Sequence, residues 1–131
     1  KFETIKAKLN KEDSSSKTYT MESKILFRVA NHSEPVSVSK IVCISAERQY
    51  STLTLENNHR YVIKKSLSSW ELMLPKEHFL RVHRSEIVNL NHVSRIANDI
   101  DNHYKIYLVN TSKTIEVSRR YYKKLRTLHS S

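Results

Sequence analysis

Tyr50-Ser51-Thr52-Leu53-Thr54-Leu55-Glu56-Asn57-Asn58-His59-Arg60-Tyr61-Val62-Ile63 is the stretch whose reading decides the fold. Two runs rich in Thr, Tyr, Val, Ile and Leu flank an Asn-Asn pair, which reads as two antiparallel strands joined by a tight turn. Outward from this hairpin, the period-two pattern extends in both directions. It begins at Ser23 and predicts strands over 25–29, 36–38, 41–46, 51–55, 60–64, 79–83, 86–88, 93–97, 104–109 and 114–117. They are short and separated by Asn-, Asp- and Ser-rich turns. The expected fold is mostly β: short antiparallel sheets with two small helices.

The first helix is expected to be capped by Ser66, to draw apolar surface from Leu67, Trp70, Leu72 and Leu74, and to stop at Pro75. The second is expected to be capped by Ser118 and to run to about Leu128. Tyr121, Leu125 and Leu128 line one face of it, with Tyr122 beside them. No internal repeat is visible.

Residues 1–22 read differently. Phe2, Ile5 and Leu9 fall at helical spacing, and Lys11-Glu12-Asp13-Ser14-Ser15-Ser16-Lys17 is a polar breaker. The expectation is a short helix or frayed tail and a linker from an upstream domain, with the folded domain over 23–131. An ordered first helix of the same domain is the alternative. A chain that opens on Lys1 rather than Met is expected to be a piece of something longer.

With 131 residues, 38% of them hydrophobic, the chain suits one domain with a modest core, and nothing in it calls for a second. The sequence has no glycine. P-loops and dinucleotide fingerprints need glycine for close phosphate approach, so both are excluded. Left-handed turn positions are expected to fall to Asn and Asp, in 56–59, 98–102 and 110–112. The lone cysteine, Cys43, lies in the apolar run Ile41-Val42-Cys43-Ile44, so it reads as a small core residue in a reducing compartment. No apolar stretch is long enough to span a membrane and no signal peptide is apparent, so the protein is expected to be cytoplasmic.

Lys and Arg number 23 against 13 Asp and Glu, a net charge of +10 with a pI near 9.8. That balance favours an anionic partner, although a basic surface can also serve solubility alone. Half of the excess is local: Arg119, Arg120, Lys123, Lys124 and Arg126 contribute +5, with no acid in 118–131. Two arginines in a first helical turn oppose the helix dipole, which makes Ser118, Arg119 and Arg120 a candidate phosphate or base-edge binder. The alternative is a solvated terminal helix.

In Phe79-Leu80-Arg81-Val82-His83-Arg84-Ser85-Glu86, alternation sends Leu80 and Val82 to the core and Arg81 and His83 the other way. Arg84 is then projected from a turn, with the planar fork that suits guanine O6 and N7. Pairing with Glu86 or another surface acid is the competing reading. A third segment, Glu47-Arg48-Gln49-Tyr50-Ser51, has the composition to bond bases and phosphates.

At these residues the sequence resembles the LytTR family of bacterial DNA-binding domains. The likeness runs through Phe79-Leu80-Arg81-Val82-His83-Arg84-Ser85-Glu86-Ile87-Val88-Asn89-Leu90-Asn91-His92-Val93 and Ile115-Glu116-Val117-Ser118-Arg119-Arg120-Tyr121-Tyr122-Lys123-Lys124-Leu125. Ile44-Ser45-Ala46-Glu47 and Ser66-Leu67 lie where the family has its first loop and first helix. The resemblance, over roughly residues 24–128, implies the output domain of a two-component response regulator. Loops would enter successive major grooves of promoter direct repeats, with the protein bound as a homodimer and a receiver domain upstream. Carried over by position, Gln49, Tyr50, Ser51, Arg84 and Arg120 are base-contact candidates. Arg48, Ser85, Ser118, Arg119 and Lys123 are phosphate candidates, and His83 is a structural hydrogen-bonder that positions its loop. No catalytic residue, metal or cofactor is expected.

Rival readings are weaker. The seven histidines show no His-Glu-x-x-His or paired Cys/His spacing, and Cys43 is too apolar in setting for a hydrolase nucleophile. An RNA-binding module would stack bases on exposed aromatics, for which Tyr50, Tyr61, Tyr104 and Tyr107 are the candidates. An acidic-protein-binding module would use the same basic surface.

Overall fold

The computed structural model of the chain describes residues 3–9, 18–98, 103–109 and 111–129. The hairpin at the centre of the sequence is formed by β6 (Tyr50–Leu55) and β7 (His59–Ile63), with Leu53 opposite Tyr61 and Ser51 opposite Ile63. It belongs to a six-stranded sheet built with β1 (Glu3–Lys6), β5 (Ile41–Glu47), β8 (Phe79–His83) and β9 (Glu86–Asn89), in the order β1-β7-β6-β5-β9-β8. Two three-stranded sheets flank it. One joins β2 (Lys8–Leu9), β3 (Lys24–Val29) and β4 (His32–Ser37); the other joins β10 (Val93–Asn98), β11 (Tyr104–Leu108) and β12 (Thr114–Glu116). The helices are α1 (Leu67–Met73) and α2 (Arg119–His129).

The expected mostly-β class with two small helices holds. The N-terminal segment, however, is not helical where it is described. Glu3–Lys6 pairs in parallel with β7, and Lys8–Leu9 pairs with β3. Three apolar residues in nine cannot separate helix from strand, and the open edge of β7 offers backbone partners that a lone helix lacks. Phe2 and the 11–17 breaker lie outside the described residues.

The large sheet is buried on both faces, so the expectation of a single core needs correction. Ile25, Phe27, Ile41, Ile44, Leu53, Trp70 and Ile87 belong to a cluster shared by the large sheet, β3 and α1. Val42, Cys43, Leu80, Val82, Val88, Ile106, Ile115 and Leu125 belong to a second cluster shared with β11, β12 and α2. The continuous run Ile41-Val42-Cys43-Ile44 carries this pattern. A register shift between Ile41 and Cys43 lets Val42 and Cys43 serve one core while Ile41 and Ile44 serve the other.

Helix α1 starts as expected, with Ser66 Oγ accepting the Ser69 N–H at 3.1 Å, and stops before Pro75. Its inward face is Leu67, Trp70 and Met73, followed by Leu74, whereas Leu72 is 70% exposed. Five residues at 100° each carry Leu72 round to the far side from Leu67. Val38 is also not strand but begins a short 3₁₀ turn, Val38–Lys40. Asn58 takes the left-handed turn position expected of Asn, at φ 69°, yet Ala30 (54°) and Arg48 (60°) take two others. Of the other Asn/Asp turn positions, 99–102 and Asn110 lie outside the described residues.

Candidate nucleic-acid interface

Strand direction gathers the basic segments at one end of the large sheet. β5 ends where β6 begins, with Glu47 opposite Tyr50. It also pairs antiparallel with β9, Ser45 facing Glu86, so the 84–85 turn lies at that same end. The Ser118 N–H donates to the Val82 carbonyl at 2.9 Å, which pins the start of α2 beside the end of β8. Arg48 and Gln49, Arg84 and Ser85, and Arg119 and Arg120 therefore come together from segments as far apart in sequence as residues 48 and 120.

The 84–85 turn is held from beneath. Arg81, with a side chain only 15% exposed, donates from Nη2 to the Arg84 carbonyl at 2.6 Å and from Nε to the His83 carbonyl at 3.3 Å. Its Nη1 meets Glu71 of α1 at 3.0 Å. His83 Nδ1 accepts the Ser85 N–H at 3.2 Å and lies 2.9 Å from Ser85 Oγ. Because the amide can only donate, Nδ1 is the acceptor and the ring hydrogen belongs on Nε2. Ser85 also accepts the Ala46 N–H at its carbonyl, 2.9 Å away, tying this turn to β5.

Arg84 does not pair with Glu86. The Glu86 carboxylate points back into the sheet, accepting from Ser45 Oγ at 2.9 Å, with Lys113 Nζ 3.7 Å away. Burial raises the Glu86 pKa, against the lowering pull of Lys113 and Ser45. Lys113 Nζ also donates to Ser45 Oγ at 3.1 Å, so the β11–β12 connection is fastened to the strand leading into the first turn. The Arg84 side chain is exposed and has no polar partner among the described residues.

The first turn is Arg48-Gln49, closed between Glu47 and Tyr50. Arg48, Gln49 and Tyr50 are exposed. Ser51 is not, and its place among the base-contact candidates needs correction. It is fully buried, and its Oγ accepts the Trp70 indole N–H at 2.8 Å. Period two explains this: if Tyr50 points out, Ser51 points in. At the start of α2, Arg119, Arg120 and Lys123 are exposed and Ser118 is half-buried. The guanidinium carbons of Arg120 and Arg81 each lie 5.7 Å from the centre of the Tyr121 ring. Leu125, fully buried, and Tyr122, 5.8 Å ring to ring from Tyr104, seat α2 on the second core. The Leu128 side chain lies outside the described residues.

Sequence reasoning missed Arg81 and Lys113 as organisers. The signal for Arg81 was a cation on the same face of β8 as His83, just before an exposed turn. Nothing local marked Lys113, whose partners are 27 to 70 residues away. Tyr61 and Tyr104 are each 5% exposed, so neither is available for stacking, and Tyr107 lies under Arg95 at 4.1 Å. Burial raises the Cys43 thiol pKa, which disfavours a thiolate. Among the described residues, no group of three or more His, Cys, Asp or Glu side chains could hold a metal ion, and no helix is long and apolar enough to cross a membrane.

The fold and this sheet end define a small, basic β-domain that carries its free cations on turns and at a helix start. Residues 31–130 match the family described as the LytTr DNA-binding domain. A LytTr DNA-binding domain of a putative methyl-accepting/DNA response regulator from Bacillus cereus superposes with a TM-score of 0.72 at 29% identity, covering 83% of this chain and 98% of that one. The sensory transduction protein LytT of Bacillus anthracis is 40% identical over 68 residues, 52% of this chain and 27% of the relative. The transcriptional regulatory protein LytR of Staphylococcus aureus (strain N315) is 32% identical over 66 residues, 50% of this chain and 26% of the relative. The aligned stretch thus spans about a quarter of these regulators. The chain belongs to the LytTR family of DNA-binding domains.

Proposed function

We propose that this chain is the output domain of a cytoplasmic response regulator and binds promoter direct repeats in duplex DNA as a homodimer. A receiver domain precedes it. Arg84, Arg120 and the Gln49-Tyr50 turn read base edges in successive major grooves. Arg48, Ser85, Ser118, Arg119 and Lys123 neutralise phosphates. The observation that carries this reading is the placement of Arg84: exposed, released from Glu86, and mounted on a turn that Arg81 and His83 hold rigid. A guanidinium aimed from a fixed turn loses little freedom when it grips a guanine.

Selection of bound sequences from random duplex DNA at about 150 mM salt, with wild type and Arg84→Ala in parallel, tests it. Wild type should enrich a pair of short direct repeats. The variant should lose about 1–3 kcal/mol on that site and little on random DNA, with one base position relaxed. Equal losses on both would contradict base reading. Lys123→Ala should weaken all duplexes alike and lower the salt slope by about one unit.

A further inference from the structure

A groove of about 1200 Å³ opens beside the first turn, between the ends of β1 and β7, the β2–β3 pair and the β5–β6 turn. Lys6, Lys8, Arg28, Arg48, Lys64 and Lys65 line it, against one acid, Glu47. Lys6, Lys8, Arg28, Arg48 and Lys64 are exposed, and their side chains have no hydrogen-bond, ion-pair or ring partner among the described residues. Lys65 lies over the Trp70 ring at 5.6 Å, and partial burial lowers its pKa. Lys8 and Arg28 stand directly opposite each other in the β2–β3 register. Like charges facing each other across antiparallel strands destabilise the free protein. An anion between them reverses the sign of that interaction.

The groove continues the row of cations at the sheet end. β7 runs antiparallel to β6, with Ser51 opposite Ile63, so Lys64 and Lys65 emerge next to Tyr50. β1 runs parallel to β7, so Lys6 emerges there too. Arg48 and Tyr50 line the groove and form the first turn as well. Six strands at about 4.8 Å spacing make this end roughly 24 Å wide. About seven phosphates of one DNA strand pass in that distance, at about 3.4 Å of rise each. A linear row of this length, continuous with the turns, fits a duplex backbone better than a compact acidic patch.

Resting on the DNA reading above, we propose that this groove is a second phosphate-binding surface, which grips duplex backbone flanking the bases read by the two turns. Lys6, Lys8 and Arg28 precede residue 31, where the family match begins, so this chain adds the grip from outside the matched segment.

The test compares wild type with a Lys8→Gln, Arg28→Gln, Lys64→Gln triple variant. Each is titrated across salt against the selected repeats on a duplex ending at the repeats and on one with about ten further base pairs per side. Three lost phosphate contacts at about 0.9 each lower the salt slope by about 2.7, roughly a hundredfold in affinity near 0.15 M. The loss should appear on the long duplex, with base preference unchanged and the short duplex affected less than about threefold. Identical flank and salt dependence in both proteins would overturn the groove while leaving the base-reading turns standing. Wild type with no salt-dependent duplex binding would overturn both. Thermal melts guard against misfolding. If the triple variant does not fold, Lys64→Gln alone separates the same outcomes, through a slope change of about 0.9 or none.

Discussion

Replacing Ser51 by Ala separates a structural role from a recognition role at the position where sequence reasoning went astray. Both Ser51 and Trp70 are fully buried, and the indole N–H donates to Ser51 Oγ at 2.8 Å. The hydroxyl itself donates only weakly, to the Ile63 carbonyl at 3.4 Å. Removing it leaves almost no cavity but strands an indole N–H in an apolar core. A buried donor without a partner costs about 1–3 kcal/mol. For a domain of this size each kcal/mol lowers Tm by roughly 3–6 °C, so the melt should fall by about 3–18 °C. The urea midpoint should drop with an unchanged m-value. Below the transition, the folded variant should bind its DNA site with wild-type affinity and the same base preference. An unshifted melt with relaxed preference at one base would refute this reasoning and return Ser51 to the interface.

Three further outcomes follow from the same packing. Arg81→Lys should weaken cognate binding about as much as Arg84→Ala, although Arg81 is turned inward, because one ammonium cannot hold the Arg84 carbonyl and Glu71 together; parallel titrations on cognate and random duplexes check this. Leu125→Ala should cost about 2–5 kcal/mol by urea denaturation, since Leu125 is fully buried beneath α2, and binding to every duplex should weaken as the helix loosens. Tyr61→Phe should lower stability by about 1 kcal/mol at pH 7 and by less in acid. Hydrogen bonds from Tyr61, at 2.6 Å, and then from His32 hold the Glu34 pKa down. That stability is present above the ordinary carboxylate pKa and fades as pH falls through the lowered one; a difference that grew in acid would contradict the assignment.

The strands were legible because a half-buried strand must alternate, and 25–29, 41–46, 51–55, 60–64, 79–83 and 104–109 lie within two residues of the observed bounds at either end. Helix α1 was legible from its serine cap and proline stop, and α2 from its basic run. The N-terminal segment was not. Its strand identity comes from the free edge of β7, about 55 residues away, and no local pattern records that partner. Likewise the Ile41–Ile44 run announced burial but not the second covering layer, which depends on where α2 and β10–β12 dock.

The candidate site divides along the same line. The sequence by itself determined that Arg84 sits on a turn, that cations crowd the start of α2, and that no glycine-built phosphate loop is possible. Those properties are set by alternation, composition and caps, which are local. Only the tertiary structure decided that the 48–49 turn, the 84–85 turn and the head of α2 share one end of a sheet, and that Glu86 turns to Ser45 and Lys113, leaving Arg84 exposed. It also decided that Ser51 belongs to Trp70 and that Lys8 faces Arg28. Strand order and register bring distant residues within a few ångströms, and the charges and hydrogen bonds that result are fixed by that proximity rather than by the chain's local code.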